Sequence, residues 1–460
     1  MLEGGQYAID GGERDTSDAT VDAVLEFAVA ATELLEARRR GLFPEFQAPS
    51  RVFSPFPTLS IVCFTSLLQD LTGFTNPGYD VWYYDSDRKE MIGGTRGEGF
   101  KQSHAYMWLF DLSRRNSYSH DLAYFFPRGT LKRDLQALES TMRKKTDTPQ
   151  LVYMLSTDAI AHLMGRDELL RQLKRVSRTM SRVREEYRER TGHPLKVVMF
   201  SDHGQAWGPQ HRLGDDEVRA QLAAAGYHNT TALEAPGDVI LVSFGNVRTG
   251  IVYTAEADRP GVADVIRRQP GIALTFYRTQ EGAVVLDREG RRGRIMCDEG
   301  RYRYQPETGD PLEYGPLLEI LKAEGALEAD GWARQQDWLE VSQRHPSPDA
   351  LHRVCTGFHT IVTFPADVLF STDPGKMFGP WKLQAGSEMV FGGIKGNHGG
   401  IGLEESSAFV VSTDGEVKLE AVTQYNRALR EAIFKAEVPR PPATPPMVDG
   451  LKDRWYTRWQ

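Results

Sequence analysis

The stretch Lys196-Val-Val-Met-Phe-Ser-Asp-His-Gly204 decides the reading of this chain. Its apolar run, Val197 to Phe200, suits a buried strand. The run stops at a carboxylate and an imidazole side by side, followed by a glycine that lets the backbone turn sharply. Strands of an α/β sheet deliver reactive side chains to their carboxyl edge in this way. Upstream, Leu151-Val-Tyr-Met-Leu155 runs into Ser156-Thr-Asp158 and repeats the pattern. Between the two lies Asp167 to Thr191, rich in Leu, Arg, Glu and Met at helical spacing. Strand, helix, strand is the βαβ unit, so the spacing predicts an α/β fold with a mostly parallel central sheet flanked by helices.

The polar residues at these strand ends form a donor set. Asp158 and His162 stand four residues apart, and on a helical turn their side chains share one face, about 5–6 Å between Cβ atoms. Asp202 and His203 follow the next strand, and His398 sits in the glycine-flanked loop Gly396-Asn-His-Gly-Gly400. Singly, each has an ordinary explanation: an Asp after a strand is often a helix cap, and Asp-His-Gly an Asx turn. Together they supply oxygen and nitrogen donors without thiolates, which suits Zn²⁺, with Mn²⁺ bound less tightly. Five ligands are too many for one catalytic zinc, whereas two ions roughly 4 Å apart would clamp a phosphoryl group.

Pro57-Thr-Leu-Ser60-Ile-Val-Cys-Phe-Thr-Ser66-Leu-Leu, with Thr72-Gly73 after it, resembles the nucleophile segment of the type I phosphodiesterase/nucleotide pyrophosphatase branch of the alkaline phosphatase superfamily. The resemblance puts the nucleophile on Ser60. It assigns Asp158, His162 and His398 to one zinc and Asp202 and His203 to the other. It also makes Ala8-Ile9-Asp10-Gly11 the opening strand, with Asp10 completing the second zinc. What it implies is a phosphoric ester hydrolase, a phosphodiesterase or phosphatase, working through a phosphoseryl intermediate at a dinuclear zinc site. The chain departs from the pattern where Phe64 replaces a histidine and Gly78-Tyr79-Asp80 replaces a His-Gly. Asn76 stands in for the asparagine that helps hold the phosphoryl oxygens. Tyr79 and Trp82, the latter in Val81-Trp-Tyr-Tyr84, are the substrate-pocket candidates. These departures leave a second reading open, a metal-binding pseudoenzyme that binds a phosphorylated ligand without cleaving it.

A chain of 460 residues accommodates one large domain with a smaller insertion. The expected division is a catalytic core over 1–245 and 331–437, an α+β insertion over 246–330 built of short strands, and a proline-rich tail over 438–460. Helices are expected over 316–325, 332–342 and 419–436, and sheet-like runs at 359–363 and 408–412. The net charge of −8 disfavours nucleic acid as a partner and leaves small phosphorylated substrates compatible. The arginine clusters at 38–40 and 171–190 read as solvated helix faces. Cys63, Cys297 and Cys355 show no C-x-x-C spacing, so neither a disulfide nor a cysteine zinc site is expected. No run approaches the roughly 18 apolar residues of a membrane span, and the first ten residues lack the form of a secretory signal. The default expectation is therefore a cytoplasmic protein without membrane contact. A sulfatase would need a C/S-x-P-x-R context that neither Cys63 nor Ser60 has, and the ligand spacing is not that of a phosphoglycerate mutase relative.

Overall fold

A computed structural model describes residues 23–27, 29–72, 75–93, 123–144, 150–243, 245–413 and 422–424. Asp10 and the proline-rich tail lie outside the described residues. Two sheets carry the architecture. The first has six strands in the spatial order Val422–Gln424, Ser50–Phe53, Ser407–Ser412, Val197–Phe200, Ala23–Phe27 and Gln150–Met154. Ala23–Phe27 is flanked in parallel on both sides, by Gln150–Met154 and Val197–Phe200. Ser407–Ser412 runs antiparallel to both of its neighbours, so the sheet is mixed. The α/β expectation holds, with Ala23–Phe27 as the strand between Gln150–Met154 and Val197–Phe200.

The βαβ unit forms as its sequence dictates. Leu169, Leu170, Leu173, Val176, Met180 and Val183 recur at intervals of one, three and four residues along the Arg166–Thr191 helix. All six are buried in a cluster with Val152, Met154, Val197 and Met199 of the sheet. An amphipathic stripe of that width gains its stability from the sheet it covers, about 1.5–3 kcal/mol for each large side chain removed from water. The helix ends at Gly192, whose φ of 77° places it in the left-handed conformation that closes helices. Its arginines face outward into pairs such as Arg182 with Glu139 and Arg188 with Glu185.

The second sheet has nine strands, which pair antiparallel apart from the His228–Asn229/Asp238–Val242 edge. It contains the expected short strands of the insertion, from Thr249–Thr254 to Arg301–Thr308. It also takes in Asp238–Val242 and Ala333–Arg334, and Val368–Thr372 lies between Thr249–Thr254 and Ile272–Arg278. The expected divisions at 245 and 331 therefore cut through one continuous sheet. The run at 359–363 is not a strand: the Ala350–His359 helix ends there, and Val362 makes only an isolated bridge to Asn76. Within the expected helix over 419–436, Val422–Gln424 is a strand parallel to Ser50–Phe53. No helix among the described residues is long and apolar enough to cross a membrane.

The cysteine expectation is overturned. Cys297, on a strand of the second sheet, and Cys355, on the Ala350–His359 helix, are joined in a disulfide with their Cα atoms 6.3 Å apart. Their separation of 58 residues hides in sequence what packing the helix on the sheet brings together. Disulfides belong to oxidising compartments, so the cysteines lend no support to a reducing one. Thiol titration of the denatured, unreduced protein is expected to count one free cysteine, the buried Cys63, and three after reduction. Cys297→Ser is expected to lower unfolding stability by about 2–4 kcal/mol in a denaturant titration.

Candidate active site

Ser60 is the first residue of the Ser60–Thr72 helix. The opening N–H groups of a helix have no intrahelical acceptors, and the macrodipole is positive there, so an incoming anion meets a ready-made field. The chain reaches this point through Ser54 to Leu59, all buried. Ser54 Oγ donates to the Asp202 carbonyl at 2.5 Å. Thr58 ties the loop to the glycine loop around His398: its N–H donates to the Gly399 carbonyl at 3.2 Å and its Oγ1 to that of Gly400 at 2.7 Å.

Asp158 and His162 share one face of the Ser156–Met164 helix, with Oδ1 and Nε2 3.3 Å apart. His398 Nε2 lies 3.8 Å from the same oxygen. Ligating atoms of Asp158, His162 and His398 all fall within 4.8 Å of one another, and all three residues are buried. His203 stacks on His398 with ring centroids 3.6 Å apart, and its Nε2 lies 3.2 Å from Ser60 Oγ. Asp202 Oδ2 stands 3.4 Å from that nitrogen.

All three imidazoles are held by the same device. Nδ1 of His162 meets the Gly396 carbonyl at 2.7 Å, that of His398 the Thr58 carbonyl at 2.7 Å, and that of His203 the Gly204 carbonyl at 2.9 Å. A carbonyl only accepts, so each Nδ1 carries a hydrogen and each Nε2 is the nitrogen turned toward the centre. Burial, reinforced by the neighbouring imidazoles, pushes His398 down to about 3. Burial also takes His203 down to about 4. Burial works to raise the Asp158 carboxyl, but the His162 imidazole beside it holds it well below the usual carboxylate range, and His162 is raised in return. An anionic oxygen and imidazole lone pairs converging in a buried cup are what a divalent cation requires, and Asp158, His162 and His398 fit one.

Tyr124 and Gln205 complete the surroundings of Asp158. Tyr124 donates to Oδ2 at 2.6 Å and Gln205 Nε2 to Oδ1 at 3.0 Å, fixing the carboxylate from both sides. Gln205, in the loop after His203, is recognisable as a neighbour in sequence, whereas Tyr124 carries no local signal. The tight turn through the glycine loop has a steric reason. Gly399 has a φ of 114°, and a Cβ on Gly400 would come within 2.5 Å of Glu405 Oε1.

The proposed pocket residues are packed into the protein. Tyr79 is fully buried, its hydroxyl donating to the Gly357 carbonyl at 2.6 Å and accepting from Ala366 N–H at 3.2 Å. It is a core residue, and Trp82 packs against the same cluster. Asn76 is also buried and donates to Thr65 Oγ1 at 2.6 Å, five residues along the helix from Ser60. Phe64, in place of the family's histidine, packs edge-on against Tyr153 at 5.3 Å. His211 is exposed on the short His211–Gly214 strand.

Arg353 is the residue that sequence reasoning missed most completely. Its guanidinium is buried and donates to the carbonyls of Ser54, Pro348 and Ile401 and to the hydroxyls of Thr58 and Ser406, at 2.6–3.1 Å. It thus joins the segment before Ser60 to the segment after His398. Beside it, Glu405 pairs with buried Arg248 at 2.7 Å and accepts the Gly400 and Gly402 N–H groups.

No protein-family model and no curated protein sequence matches the chain. Solved structures do match. Human ectonucleotide pyrophosphatase/phosphodiesterase 5 is similar with a TM-score of 0.50 and 10% identity, over 92% of this chain and 96% of that one. A phosphonoacetate hydrolase from Sinorhizobium meliloti 1021, in complex with phosphonoacetate, aligns with a TM-score of 0.46 and 12% identity, over 90% and 95% of the two chains. The first likeness shows that the chain has the α/β fold of that phosphodiesterase. Arg353→Met, which leaves several buried acceptors without a donor, is expected to lower unfolding stability by about 3–5 kcal/mol in a denaturant titration.

Proposed function

We propose that the chain is a metal-dependent hydrolase of small phosphoric esters, with Ser60 as its nucleophile. The observation that carries this reading is the placement of Ser60 Oγ at a helix N-terminus, 3.2 Å from His203 Nε2 and beside the buried Asp158, His162 and His398 donors. A divalent ion held by Asp158, His162 and His398 would supply Lewis-acid stabilisation of the negative charge that develops in phosphoryl transfer. Zinc suits this one-oxygen, two-nitrogen set, with manganese the weaker choice.

The chain's own residues account for the rest. The helix N-terminus faces the anionic phosphoryl group, and the Thr58 contacts hold the Ser60 hydroxyl in place for in-line attack. His203 Nε2 accepts the Ser60 proton as Oγ bonds to phosphorus, and the bond to the leaving oxygen breaks with its electron pair going to that oxygen. The leaving oxygen takes that proton from His203; water then attacks the phosphoserine and gives a proton to the freed His203 Nε2, which passes it to Oγ as the P–Oγ bond breaks. Buried, neutral His203 with its hydrogen fixed on Nδ1 is in the form this exchange needs. The dinuclear zinc expected from the sequence would place a second ion on Asp202, His203 and Asp10, of which Asp10 lies outside the described residues.

The alternative, a binding protein that retains the metal without turnover, draws on the core positions of Phe64 and Tyr79, where the family pattern has polar residues. Assays with p-nitrophenyl phosphate and bis-p-nitrophenyl phosphate, before and after chelation, separate the readings. Chelator-sensitive cleavage is expected, and the preferred ester sets the class. Ser60→Ala is expected to lose turnover by about 10³-fold or more while keeping its metal content; wild-type rates in this variant would remove Ser60 from the mechanism.

A further inference from the structure

The two-ion arrangement needs three protein donors on each side, and the described residues supply one such set. Asp158, His162 and His398 are the only group of three or more potential ligands among the described residues whose donor atoms converge. The other half offers Asp202 and His203.

A third donor for that half is expected from the strand between the two metal-bearing strands. That strand is Ala23–Phe27, and its Glu26 pairs in register with Phe200. After Phe27 the sequence continues Ala28-Val29-Ala30, none of which has a donor atom in its side chain. Ala30 is buried against the His203 loop, its Cβ only 3.2 Å from where a Cβ on Gly204 would stand. The next carboxylate, Glu33, is buried but engaged elsewhere. Its Oε1 accepts from Arg166 Nε at 2.8 Å and Trp207 Nε1 at 3.1 Å, and its Oε2 from Thr32 Oγ1 at 2.9 Å.

Asp202 and His203 have other work. Asp202 Oδ1 accepts the backbone N–H of His203 at 2.9 Å and so orients the residue that follows it. His203 Nε2, the atom that would bind an ion, faces the Ser60 hydroxyl.

We infer that this chain holds one metal ion, on Asp158, His162 and His398, and that His203 Nε2 takes the place of a second ion as the partner of the Ser60 hydroxyl. The role given to His203 rests on the hydrolase reading above; the metal count does not. One fixed charge replaces two beside the phosphoryl group, and the Ser60 proton goes to a nitrogen instead of to solvent. Asp202 becomes a positioning residue that acts through the backbone of His203.

The test is metal content per chain after zinc loading and desalting, by elemental analysis, with thermal melting to check folding. One ion is expected in the wild-type chain, in Asp10→Asn, in Asp202→Asn and in His203→Gln, and almost none in His398→Ala. Two ions in the wild type, falling to one in His203→Gln, Asp202→Asn or Asp10→Asn, would overturn the inference and leave the hydrolase reading intact. Loss of a single ion in a folded His203→Gln would overturn it equally. No metal in any variant would instead undo the metal-dependent reading beneath it.

Discussion

The active-site geometry depends on one buried guanidinium. Arg353 reaches five acceptors that belong to the approach to Ser60, the exit from His398 and the start of its own helix. A buried cation is costly unless its donors are met, and here all of the acceptors around it are met at the same time. Burial lowers the affinity of Arg353 for its proton, to about 10, still high enough to keep it charged at neutral pH. The consequence is coupling: the Ser60 loop and the His398 loop cannot shift independently, because both are anchored to one planar group. Thr58 adds a direct link between them, accepting from Arg353 and donating to Gly400.

The histidine centre works by the same logic on a smaller scale. Three backbone carbonyls decide which nitrogen of each imidazole points inward. Two of those carbonyls, from Gly396 and Thr58, belong to loops that also contact the other metal-bearing elements. The backbone thus presets both the shape of the site and its protonation pattern, and little reorganisation is left for the arrival of a charged ligand.

Much of this was legible in the sequence because it is local. The helical stripe of Arg166–Thr191, the i,i+4 pair Asp158 and His162, and the strand that breaks at Ser201-Asp-His-Gly each follow from neighbours along the chain. What was not legible is long-range. Arg353 finds partners up to 299 residues away, and the disulfide spans 58. Tyr79 and Trp82 illustrate a different limit: an aromatic run after a glycine suits a pocket or a core equally well, and only the hydrogen bond from Tyr79 to Gly357 separates the two. Ala23–Phe27, the strand between Gln150–Met154 and Val197–Phe200, was not legible because it leads into alanine and valine and ends in no reactive side chain.

The order of strands in the first sheet constrains how the protein comes into being. Ser407–Ser412 lies between Ser50–Phe53, which leads to the nucleophile, and Val197–Phe200, which leads to His203. During synthesis, therefore, the two halves of the sheet have no bridging strand until the chain has been made as far as Ser407–Ser412. The second sheet waits similarly for Val368–Thr372. Such non-local closure makes folding slow and late. A chain that stops short of these strands would carry Ser60 and most of the candidate ligands without the frame that aligns them, so the architecture brings Ser60, His203 and His398 together only after the bridging strand has been made.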